Sequence, residues 1–188
     1  MATEIIDADG DAIIDCSGVT FRVWTLALSL ASPVFRAMFK PRFSEGLAVR
    51  DASDKTKTAV ISLPDDDPEA FRIFCNIAHH KLALVPTQLD AKRISLIAQF
   101  IDKYNCTEAI GPLAEKWIEN LGVHDEAPKS PEDLWSAMLL AYAFEDRSSF
   151  TRYSIKLLTT TQMRFRTWRH AVENIAFLPE AVLGLCCP

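Results

Sequence analysis

The 188-residue chain predicts an α+β fold, a small, mostly antiparallel sheet flanked by a cluster of helices and followed by an all-helical C-terminal extension. Three observations predict it. Short β-type runs are confined to the first 63 residues. Beyond them, apolar residues recur at helical spacing. Helix-start chemistry, a Ser or Asp followed by Pro, stands at Ser32-Pro33, Asp67-Pro68 and Ser130-Pro131.

Residues 11–16, DAIIDC, form the first run, and VTFRVW at 19–24 forms the second. In the second, Val19, Phe21 and Val23 alternate with Thr20, Arg22 and Trp24, the pattern of a strand with one buried face. The link Ser17-Gly18 makes the pair a hairpin. Leu26, Leu28, Leu30 and Ala31 lead into Ser32-Pro33, where a capping hydroxyl and a first-turn Pro start a helix. Val34, Phe35, Met38 and Phe39 share its face, and Pro41 ends it. Residues 44–58, SEGLAVRDASDKTKT, are polar and without period, and read as an exposed loop. AVISL at 59–63 is a third strand. Asp65, Asp66, Asp67 and Glu69 are acids set against the positive end of the next helix, whose buried face holds Phe71, Ile73, Phe74 and Ile77. Further helices are expected at 87–104 and about 107–121.

A seam falls at 122–130, where Gly122 can close a helix. Ser130 then caps a helix over about 131–144. Others are expected at 148–160, 161–175 and near 179–185. The division is a tail at 1–10, a domain at 11–121, a linker at 122–130 and the helical extension at 131–188.

Composition bounds the function. Hydrophobic residues make up 49% of the chain, enough for a sizeable core. Five Cys at 16, 75, 106, 186 and 187 give no disulfide framework, which predicts a reducing compartment, cytoplasmic or nuclear. The first 15 residues hold five acids and no base, unlike a signal peptide, and no apolar run approaches a membrane span. The terminal LCCP does not fit a prenylation pattern; palmitoylation of Cys186 or Cys187 stays open.

Catalytic patterns are missing. No glycine-rich phosphate loop and no nucleophile elbow occurs among only six Gly. The acidic start DADGD fails the calcium-loop spacing, because Ala12 and Gly18 stand where Gly and Glu are needed. Cys75, His79 and His80 lack the second pair of ligands that a metal site requires, so they read as a helix end with two solvated His. No nucleophile is paired with a base. The sequence predicts no enzyme, no metal, no cofactor and no small-molecule substrate.

The order of several motifs resembles the BTB/POZ domain. Asp11-Ala12-Ile13-Ile14 looks like its first strand and Phe21-Arg22-Val23 like its second. Leu28-Ser29 with Ser32-Pro33-Val34-Phe35-Arg36-Ala37-Met38-Phe39 is similar to its central signature. Leu63-Pro64-Asp65-Asp66-Asp67-Pro68-Glu69-Ala70-Phe71 looks like its next helix start, and Asp102-Lys103-Tyr104 matches a further motif. The match covers about residues 9–121, and the helical tail resembles the short BTB proteins of filamentous fungi. The resemblance implies a protein-interaction module that homodimerises or serves as a substrate adaptor bound to a cullin in a ubiquitin ligase. Cullin-binding members carry a hydrophobic–x–Glu motif just after the SPVFxxMF helix. Phe43-Ser44-Glu45 stands in that place, with three residues between Phe39 and Phe43. Phe43 is then an anchor for a partner's groove, with Glu45 ordering the loop or meeting a polar group, and Tyr104 lining the same surface. The alternative is that Phe43 folds back onto its own core and Glu45 is solvated.

Two departures from the family stand out. Trp24-Thr25 replace the adaptors' His-Lys, which leaves Asp11, in the pocket near the dimer seam, without its charged partner. Only about ten residues precede Asp11, fewer than the helix and strand that domain-swapped dimers exchange. A monomer or a weaker dimer is thus the alternative to the family homodimer. The other function class is a BTB scaffold with no ligase role.

A basic segment remains. Residues 147–172 hold six Lys/Arg and no acid, and RFRTWRH at 164–170 interleaves Arg with Phe165 and Trp168. Nucleic acid or an anionic membrane surface would suit it. The net charge of −5 argues against nucleic acid, and an amphipathic helix explains the spacing.

Overall fold

A computed structural model describes residues 3–52, 58–121 and 130–160. The chain divides into two compact units: Met1–Thr87 with Lys103–Leu113, and Gln88–Asp102 with Ala114–Pro188.

The first unit is built on a sheet of order β1-β3-β2-β4, in which only the β2–β3 pairing is antiparallel and the other two are parallel, so the sheet is not the mostly antiparallel one expected. Strands β2 (Ala12–Cys16) and β3 (Val19–Val23) form the expected hairpin, in the register Ala12 to Val23. Ser17 and Gly18 both take positive φ, 47° and 86°, the twist a two-residue hairpin turn needs. β4 (Ala59–Leu63) lies parallel to β2, with Ala59 opposite Ala12. The alternation puts Ala12, Ile14, Cys16, Phe21, Val23, Ala59, Ile61 and Leu63 on one buried face. A short strand not read from the sequence, β1 (Glu4–Ile5), runs parallel to β3 within the expected tail. An Arg72–Glu4 ion pair at 2.9 Å holds it to the helix that follows β4.

Helices cover the buried face. α1 (Thr25–Ala31) and α2 (Pro33–Met38) meet at Ser32. Ser32 Oγ accepts from Phe35 N at 3.1 Å, the capping its sequence predicts, and donates to the Tyr104 carbonyl at 2.6 Å. α4 (Pro68–Ala78) is capped by Asp67, which accepts from Glu69 N and Ala70 N. Aromatic rings bind these layers. Phe35 stacks on Tyr104 at 4.4 Å and on Phe74 at 5.5 Å, and Phe21 meets Phe71 edge-on at 5.2 Å. Truncating a Phe buried as Phe35 is to Ala costs about 3–5 kcal/mol.

The expected loop at 44–58 is corrected in its first half. Ser44–Asp51 form a helix, α3. Gly46 in the first turn weakens the helical signal. The fold requires it, since a Cβ there would stand 2.0 Å from the Lys40 carbonyl oxygen. Residues 53–57 lie outside the described part.

α5 (Ala91–Tyr104) passes from the second unit into the first, and α6 (Thr107–Asn120) passes back. In the second unit, α7 (Pro131–Ala143) packs against α8 (Arg147–Thr160). Ser130 caps α7 through Asp133 N at 3.1 Å, as expected. Leu134, Trp135, Leu139 and Leu140 are buried in this layer, and Ser136 Oγ donates to the Ala91 carbonyl at 2.8 Å. The helices expected at 161–175 and 179–185 lie outside the described residues.

Candidate partner-binding surface

Phe43 stands where α3 begins. Its backbone is extended, with φ −109° and ψ 156°, and its N–H donates to the Lys40 carbonyl at 3.1 Å across the Pro41 turn. That turn aims the ring outward: Phe43 is 44% exposed, with the Arg42 guanidinium 5.3 Å from its centroid. One turn on, Leu47 donates its N–H to the Phe43 carbonyl at 2.9 Å and is 37% exposed. Residues four apart share a helix face, so Phe43 and Leu47 form one apolar edge. Sequence reasoning missed Leu47, because its spacing is meaningful only if 44–51 is a helix. Glu45 is half-buried in the first turn, where a carboxylate is favoured by the helix dipole, and its Oε2 accepts from Ser44 Oγ at 2.9 Å.

Tyr104 does not line this surface, contrary to expectation. It is 2% exposed, its ring stacked on Phe35 and its hydroxyl donating to Asp66 Oδ2 at 2.7 Å. Burial, then the bond to Asp66, push the phenol well above its ordinary pKa. Asp66 is likewise not a helix cap but a buried carboxylate, paired also with Lys103 Nζ at 2.8 Å.

Asp11 and Trp24 come together at the junction of β3 and α1. Asp11 is not left without a partner. Its carboxylate accepts from Thr25 N and from Thr25 Oγ1, both at 2.7 Å, and so serves the first turn of α1. Trp24 is 48% exposed, and Leu26 and Leu30 beyond it are 51% and 71% exposed. His79 is not a solvated helix end: its Nε2 accepts from Trp24 N at 3.0 Å. Cys75 is buried, and no group of three metal-ligating side chains occurs among the described residues.

Among the described residues, the thiols are not poised as nucleophiles. Burial, with Asp66 next in weight, pushes Cys16 up to about 12; burial pushes Cys106 up to about 12 also. No helix among the described residues is long and apolar enough to cross a membrane. Of the basic segment, Arg147, Arg152 and Lys156 lie on α8, and 164–170 are outside the described residues.

The first unit is thus a one-faced sheet under helices, with the aromatic Phe43 exposed at the entry to α3. The family model of the BTB/POZ domain matches residues 8–120, and the chain belongs to that family. No curated protein matches the chain.

Proposed function

We propose that the chain is an adaptor that docks on a cullin scaffold through Phe43, Glu45 and Leu47 and presents a client to a ubiquitin ligase. The observation that carries this reading is the exposed Phe43 ring at the N-terminus of α3, with Leu47 beside it and Glu45 in the same turn. An aromatic anchor of this kind contributes about 2 kcal/mol when buried at an interface centre. The helices of the second unit, or another protein, would hold the client. An intracellular site, cytoplasmic or nuclear, suits the free buried thiols.

Calorimetric titration with a cullin N-terminal domain tests the reading. Binding at micromolar affinity or better is expected. Phe43→Ala should weaken it roughly 30-fold, and Glu45→Lys should abolish it in a still-folded protein. No binding by the folded wild type would sink the adaptor role.

A second reading is self-association without a ligase role. Trp24, Leu26 and Leu30 favour it, as exposed apolar side chains in one short stretch. A dimer mass in light scattering, lost in Leu30→Glu, would support it.

A further inference from the structure

Trp24 is the cap residue of α1, and its own side chain makes no capping hydrogen bond. The first N–H groups are served from elsewhere instead: Thr25 by Asp11, and Trp24 by His79 Nε2 at 3.0 Å. His79 ends α4, and its other ring nitrogen, Nδ1, lies 2.8 Å from the Cys75 carbonyl oxygen. The two contacts determine the proton's place. A carbonyl oxygen only accepts, so Nδ1 carries the hydrogen. A backbone N–H only donates, so Nε2 carries none. The ring is therefore neutral, in one tautomer, with both nitrogens occupied.

We propose that His79 is a proton-sensitive latch that holds Trp24 and with it the entry to α1. A second proton on the ring must go to Nε2, where it would face the Trp24 N–H, donor against donor. The bond that fastens Trp24 to α4 is then lost, while the Asp11–Thr25 bonds remain as the hinge. The stretch set free leads directly into the exposed Leu26 and Leu30.

The surroundings favour the closed state at neutral pH. Burial lowers the imidazole pKa most; the Cys75 carbonyl, Asp7 and Asp11 act upward and Lys81 acts downward. Asp7 and Asp11 come from the segment before β2. Lys81 follows α4 and donates to the Ile6 carbonyl. Because the folded value lies below the ordinary one of about 6.5, the latch is closed above that pH. It opens as pH falls below it and through the folded value. This is independent of the cullin reading.

The test is an NMR titration of the full-length labelled protein from pH 8 to pH 5. The expected result is a His79 midpoint below about 6.5. The protection factor of the Trp24 amide should fall at least tenfold along the same curve, with Ile61 in β4 unchanged. A His79 midpoint at or above the ordinary value overturns the proposal, as does Trp24 protection that is constant across the His79 titration. In folded His79→Gln the pH dependence of Trp24 should vanish, and its persistence there would overturn the latch as well. If that variant does not fold, the wild-type titration decides alone.

Discussion

The Tyr104 hydroxyl donates to Asp66 Oδ2 at 2.7 Å, joining the end of α5 to the turn before α4, 38 positions away. The same turn is held from the other side. The Asp66 carbonyl oxygen accepts from Ser17 Oγ at 2.8 Å and from Cys16 Sγ at 3.3 Å. One residue thus fastens the hairpin, the start of α4 and the end of α5. A ring committed to this network, and stacked on Phe35, has no face left for a partner.

Tyr104→Phe keeps the stack and removes the bond to a buried carboxylate, which should cost about 1.5–3 kcal/mol in urea denaturation. The pH dependence has a definite sign. Tyr104 is an acid whose folded pKa is raised, first by burial and then by Asp66. Its contribution is complete below the unfolded phenol value of about 10 and is lost as pH rises above it. The wild type should therefore lose stability above that pH, and Tyr104→Phe should lose less. Equal alkaline slopes in the two proteins would refute this account.

Gly46 lies buried in the first turn of α3, against the carbonyl groups of Phe39 and Lys40. An added methyl would stand 2.0 Å from Lys40 O and 2.3 Å from Lys40 C. Both are backbone atoms, so the helix must move rather than a side chain. Gly46→Ala, which raises helix propensity in isolation, should here destabilise by about 1–3 kcal/mol. The shift would carry Phe43 and Glu45 with it. The variant is expected to lose Tm and to bind a cullin domain more weakly than its remaining folded fraction explains.

The readable parts of the chain are those whose cause is local. Period-two alternation announces β3 because one of its faces is buried, and β2 and β4 are legible as short β-type runs bounded by turn residues. Ser32, Asp67 and Ser130 announce their helices because the cap and the Pro after it act within one turn. α3 was illegible for the opposite reason: Gly46 opposes a helix locally and is required by Lys40, six residues earlier. β1 is two residues long, and its support is tertiary, from β3 and Arg72. In Asp65-Asp66-Asp67 three like acids stand together, and only the path of the chain decides that the middle one turns inward to Lys103 and Tyr104. Of the proposed docking edge, Phe43 and Glu45 can be picked out in the sequence and Leu47 cannot, because its place beside Phe43 follows from α3.

Glu145 is the residue that leaves α7, and its φ is +55°. Its N–H closes the helix end on the Tyr142 carbonyl at 2.9 Å, and Phe144 is the cap before it. This is the left-handed closing position that Gly fills without steric cost. The Glu145 side chain is exposed, so little contact is lost with it. A side chain in the left-handed region costs about 1–2 kcal/mol, of which the greater freedom of Gly in the unfolded chain takes back about 0.4–1 kcal/mol. Glu145→Gly should therefore stabilise by about 0.5–1 kcal/mol, read as a higher urea midpoint at unchanged m-value. Glu145→Ala, which removes the carboxylate but keeps the Cβ, should not. A gain shared by both variants would assign the effect to charge rather than to backbone strain.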